Sequence, residues 1–186
     1  MNSNYKVTKF RSNNLKEVND QVSIEEPLQI ILKYKDKENW IENTISITMR
    51  TPGDDENLVT GFLFNERVIE KISHIENIEA SGDPVGQYKL QNKVIITINN
   101  SENIDIDKIK RNFLTNSSCG VCGKTSLESL EIIKKDKILR SIPKIHHEII
   151  MKSPNILRQN QSEFSKTGGI HASGLFNTSG KIIALK

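Results

Sequence analysis

Apolar residues along this chain change period, from two to the spacing of a helix and back, and that alternation restricts the fold more than any other feature. Thr44-Ile45-Ser46-Ile47-Thr48-Met49 alternates with period two, as a half-buried strand does. Residues 27–34 and 87–98 also read as strands, with Val94, Ile96 and Ile98 on one face, and Asp36-Lys37-Glu38-Asn39 supplies turn residues before Trp40. Thr51-Pro52 followed by Asp54, Asp55 and Glu56 marks a helix start, because carboxylates favour the positive helix end. Leu58, Val59, Phe62 and Leu63 then recur at helical spacing to about Asn65. Ile106, Ile109, Phe113 and Leu114 suggest a short helix, 127–135 an amphipathic one, and Ser153-Pro154 the start of another reaching Phe164. Thr167-Gly168-Gly169 breaks the chain before a hairpin of 170–176 and 182–185, turning at 177–180. Strands alternating with helices argue for an α/β fold, or α+β, with helices packed on a mixed sheet.

A length of 186 residues suits one domain, here 27–186, and is enough to bury a core without a covalent staple. Residues 1–26 are rich in Asn, Ser and Lys without sustained periodicity and read as a mobile tail leading into the first strand. Aromatic residues make up only 5% of the chain, so the core is aliphatic, with Trp40, Phe62 and Phe64 most simply placed in it. The net charge of +3 comes from scattered basic residues, which does not support a nucleic-acid stripe. No stretch approaches the roughly 18–20 apolar residues needed to span a bilayer. Lys6, Lys9 and Arg11 are followed by no apolar export segment, so the expected compartment is the cytoplasm. Cysteines there stay reduced unless catalytic or metal-bound.

That makes the spacing of the only two cysteines informative. Asn116-Ser117-Ser118-Cys119-Gly120-Val121-Cys122-Gly123-Lys124 is a C-x-x-C between glycines, just before a helical pattern. The two sulfurs are close enough in sequence to share or exchange a sulfur atom. A following helix start and Lys124 both favour thiolate over thiol, and thiolate is the nucleophile. Such a thiolate can take sulfane sulfur from a donor, hold it as a persulfide and pass it on. Other readings compete. A zinc module would need Cys119, Cys122 and histidines from His74, His146, His147 and His171, with no second C-x-x-C to complete it. A thioredoxin-like pair would follow an early strand, and this one lies deep in the chain. Zinc deaminases combine His-x-Glu with Pro-Cys-x-x-Cys; here His171-Ala172-Ser173 lacks the Glu and Ser118 replaces the Pro.

Four segments together resemble the formate dehydrogenase accessory sulfurtransferase family, FdhD. They are Glu26-Pro27-Leu28; Arg50-Thr51-Pro52-Gly53-Asp54-Asp55-Glu56 continuing to Gly61-Phe62-Leu63-Phe64; the cysteine loop; and Thr167-Gly168-Gly169-Ile170-His171-Ala172-Ser173-Gly174-Leu175-Phe176. The resemblance implies a cytoplasmic sulfur carrier with a cytidine-deaminase-like fold. Such a carrier takes sulfur from a cysteine desulfurase and delivers it to the molybdenum or tungsten bis-pterin guanine dinucleotide cofactor needed by formate dehydrogenase. No tightly bound cofactor and no metal are expected, and the assembly is left open, with a homodimer among the options. By match to the motif, Cys119 forms the persulfide and Cys122 is its neighbour in exchange or release. The family continues past the Gly-Gly-x-His-Ala segment into an acidic segment and a Gly-Arg-His-Asn motif. Lys186 stands just short of these, so part of the cofactor site is expected to be missing. A cofactor chaperone whose cysteines are incidental is the further alternative.

Other residues carry two readings each. Lys124 adjoins the loop and would steady an anionic persulfide. Gly168 and Gly169 could bring backbone N–H groups to a cofactor phosphate, or only make a tight turn. His171 could bind cofactor or donate a proton, or be a satisfied core histidine on a strand. Arg50 with Asp54 and Asp55 could line a site, although carboxylates opposing a helix dipole and pairing with Arg50 are the simpler account.

Overall fold

The computed structural model describes residues 2–86, 88–99 and 143–186, and the chain closes into two compact units, Glu25–Ile133 and Met1–Ile24 with Lys134–Lys186. The sequence reads 1–26 as a mobile tail ahead of one domain from residue 27, and most of that tail is instead strand. Residues 2–23 form a long hairpin of β1 (Asn2–Arg11) and β2 (Asn14–Ser23), paired without a register shift from Asn2↔Ser23 to Arg11↔Asn14. Its loop residues Ser12 and Asn13 both take positive φ, 47° and 62°, the backbone that matches the twist of two-residue hairpins. The sequence carries no clean period of two for these strands because both faces are largely exposed and polar residues occupy each.

The first unit of Glu25–Ile133 is built on a four-stranded sheet. Its strands are β3 (Glu26–Asp36), β4 (Asn39–Arg50), β5 (Ile75–Ser81) and β6 (Lys93–Ile98), in the order β4-β3-β6-β5. β3 runs parallel to β6 and antiparallel to β4, and β5 is antiparallel to β6. Helix α1 (Asp55–Asn65) places Val59 and Leu63 on Leu28, Ile30, Leu32, Val94, Ile96 and Ile98, all buried, to make the aliphatic core. Each such side chain is worth about 1.5–3 kcal/mol when removed from water. The expected mixed sheet with packed helices is what forms. The strand expected over 87–98 pairs in the sheet only from Lys93; Val85 and Leu90 form an isolated bridge ahead of it.

A bulge decides which β4 residues face the core. Ile30 pairs with Ser46 and Ile31 with Thr44, so Ile45 is the extra residue. One added residue reverses the alternation beyond it. Ile41 and Ile45 pack inward before the bulge; Thr48 and Arg50 turn inward after it, leaving Ile47 and Met49 exposed. Trp40, expected in the core, lies on the outer side of the same strand at 52% exposure, with the Lys33 ammonium 5.9 Å from its ring centre. Phe62 packs against the core, whereas Phe64 is exposed on the far side of α1.

The other unit holds the β1–β2 hairpin, α2 (His147–Gln159), α3 (Ser162–Thr167), β7 (Gly174–Phe176) and β8 (Ile182–Leu185). Helix α2 begins six residues before the start expected at Ser153, and Pro154 lies inside it. Proline cannot donate to the Ile150 carbonyl four residues back. The Ser153 hydroxyl donates to that oxygen instead, at 2.9 Å. The Ser-Pro pair thus repairs a helix interior rather than opening a helix. The expected hairpin forms, but its first strand begins at Gly174 rather than at residue 170: Asn177 Oδ1 accepts from the N–H groups of Ser179 and Lys181, and Ser173 and Lys186 exchange backbone bonds of 2.7 and 3.0 Å.

Candidate functional site

Cys119, Cys122 and Lys124 lie outside the described residues. The helices expected around 106–114 and 127–135 fall there too. The Arg50 and Gly168 segments lie among the described residues, each within its own unit.

In the Glu25–Ile133 unit the Arg50 signature folds into a polar knot. Because the bulge aims Arg50 inward, the residue is only 7% exposed and its guanidinium needs partners. Nε donates to Asp55 Oδ1 at 2.8 Å and Nη2 to Asp55 Oδ2 at 3.1 Å, a fork-to-fork pair. Nη2 also donates to Asn92 Oδ1 at 3.1 Å and Nη1 to the Glu26 carbonyl at 3.4 Å. Asn92 Nδ2 in turn donates to the Glu26 carboxylate at 3.4 Å. One cation thereby ties the start of β3, the end of β4, the first turn of α1 and the lead-in to β6. This is the structural reading of Arg50 and Asp55. Asp54 serves differently: it is the N-cap residue, its carboxylate accepts from the Asn57 side-chain amide, and its backbone oxygen accepts from Leu58 N–H. Glu26 and Asn92 were not singled out from the sequence, since neither belongs to a spacing pattern; an inward Arg on a strand end was the only hint that polar partners must exist.

Above this knot a cavity of about 360 Å³ is lined by Gly53, Asp54, Asp55, Glu56, Ile78, Ala80, Lys93 and Val94. Gly53 has φ of 130°, a backbone open to glycine, and nothing lies within 4 Å of where its Cβ would be. Asp54, Asp55 and Glu56 line it with Lys93, and of these the Asp55 carboxylate is already paired with Arg50.

In the other unit, Gly168 and His171 sit on the link from α3 to β7. Gly168 ends α3 in the left-handed conformation, φ 69°, and its N–H donates to the Phe164 carbonyl at 2.7 Å. The tight-turn reading of Gly168 therefore holds, and its N–H is engaged. Gly169 is exposed, its N–H lies 3.5 Å from Thr167 Oγ1, and the space where its Cβ would be is open. His171 is exposed and precedes strand β7, so it is neither on a strand nor a core histidine. Gly168, Gly169 and His171 share one exposed link, and a ligand could reach Gly169 and His171 without displacing side chains.

Among the described residues, donor atoms of His146, His147 and Glu148 lie within 4.8 Å of one another, all exposed. They occupy the positive end of α2, and Glu148 is paired with Lys152 at 3.2 Å. Both facts work against holding a cation there. His146 and His147 are exposed to solvent. No helix among the described residues is long and apolar enough to cross a membrane.

A model of the FdhD/NarQ family matches residues 23–186. The chain belongs to the FdhD/NarQ family. Among FdhD proteins it is 43% identical over 169 residues to the sulfur carrier protein FdhD of Picrophilus torridus, covering 90% of this chain and 58% of that one. It is 34% identical over 180 residues to the sulfur carrier protein FdhD of Sulfolobus acidocaldarius, covering 97% and 61%. The chain thus spans about three fifths of the length of these relatives. A solved structure of a candidate formate dehydrogenase accessory protein from Desulfotalea psychrophila superposes with a TM-score of 0.56 at 18% identity, over 99% of this chain and 60% of that one. At that identity the likeness speaks for the FdhD fold alone.

Proposed function

We propose that this FdhD-family chain carries sulfur to the molybdenum or tungsten bis-pterin guanine dinucleotide cofactor of formate dehydrogenase, with a cysteine desulfurase as donor. The observation that carries this reading is that the only two cysteines of the chain, three positions apart between glycines, fall inside the span matched to a family whose members include named sulfur carriers.

The chemistry balances in two steps. Cys119 thiolate attacks the outer sulfur of the donor's cysteine persulfide; the new S–S bond forms as the donor's S–S bond breaks, and the donor leaves as a thiolate that takes up a proton. No electrons are gained or lost, since sulfane sulfur only changes owner. Release as sulfide needs two electrons, and Cys122 can supply them with Cys119. Its thiolate attacks the inner sulfur of the Cys119 persulfide, expelling hydrosulfide and leaving a Cys119–Cys122 disulfide that a cellular thiol must later reduce. Lys124 would steady the anionic persulfide, and the exposed residues Gly169 and His171 would meet the cofactor's phosphates, the Gly169 N–H giving up its 3.5 Å bond to Thr167 Oγ1.

Incubation with a cysteine desulfurase and free cysteine tests the first step by intact mass. The reading expects a gain of one sulfur that dithiothreitol removes and that Cys119→Ala abolishes. A gain that persists in Cys119→Ala places the acceptor elsewhere. Stoichiometric zinc on the freshly purified protein, with both thiols unreactive, would support a metal module instead.

A further inference from the structure

We draw no further inference here: the strongest candidate, the cavity of about 360 Å³ between the first turn of α1 and strands β5 and β6, is a run of carboxylates at a helix N-terminus, and nothing among the described residues points to a ligand for it.

Discussion

The two units of the chain achieve order by different means. In Glu25–Ile133 a four-stranded sheet and α1 close over Leu28, Ile30, Leu32, Val59, Leu63, Ile96 and Ile98, and Arg50, the one buried cation among the described residues, is bonded to Asp55 and Asn92. In the other unit, among the described residues, only Ile24 is buried. Its hairpins and helices are defined by backbone pairing, by the Ser153 repair, by the left-handed Gly168 and by the Asn177 turn. Among the described residues, hydrophobic burial is concentrated in one unit, while the other holds its segments by local backbone and side-chain bonds. Two of the four family signatures divide along the same line: the Arg50 segment is built into the closed core, and the Gly168-Gly169 segment is exposed.

Breaking the Arg50 knot should have the largest effect. Arg50→Ala leaves Asp55 and Asn92 facing each other without their cation, and about 3–5 kcal/mol of stability should be lost, as for other broken buried pairs. Arg50→Lys restores charge but not the fork and should recover only part of it. Leu63→Ala belongs to the same class, at about 2–5 kcal/mol. Urea unfolding measures all three. Losses near zero would mean that the core and its knot are not where the stability resides.

Substitutions in the other unit should be milder and local. Ser153→Ala leaves the Ile150 carbonyl without its hydroxyl donor and should cost about 0.5–1.5 kcal/mol. Gly168→Ala forces a Cβ into the left-handed region at about 1–2 kcal/mol. Hydrogen exchange should show faster opening confined to α2 or α3, with β3 and β6 unaffected. Spread of the effect into the sheet would erase the contrast between the units.

The smallest effect concerns acid. The Lys9 ammonium hydrogen-bonded to Asp20, together with the Gln21 N–H, holds the Asp20 carboxyl below its ordinary value of 3.8. A carboxyl whose folded pKa is depressed stabilises the fold above the unfolded value and loses that contribution as pH falls through the folded one. Carbon-13 titration of Asp20 should therefore give a midpoint below that of free Asp, with the Lys9–Lys16 end of the hairpin fraying only at the acid end. A midpoint at the ordinary value would mean that the pair does not persist in solution.

Much of the sheet could be read from the residues because β3, β4 and β6 bury one face, and burial on one face writes a period of two. Trp40 and Phe64 were misplaced for a related reason. Hydrophobicity marks what can be buried, but the Ile45 bulge and the helix phase decide what is. β1 and β2 were invisible since neither face is buried enough to select a pattern. Ser153-Pro154 misled because the hydroxyl that caps a helix start can equally replace a missing N–H inside one. In the candidate site, Arg50, Asp55 and Gly168 were legible as a structural pair and a turn. Glu26 and Asn92 were not, because a bond spanning 66 positions leaves no local trace. His171 was read as a strand residue, although its segment joins the hairpin only at Ser173.

The proposed sulfur hand-over can be followed in a single time course. The chain is loaded with persulfide, separated from the desulfurase, and mixed with inactive formate dehydrogenase containing the unsulfurated cofactor. Loss of the extra sulfur from the intact mass should keep pace with the appearance of formate oxidation, and chain carrying Cys119→Ala should produce neither. Activation at the normal rate by the alanine variant, or a persulfide that stays on the chain while activity rises, would contradict the account.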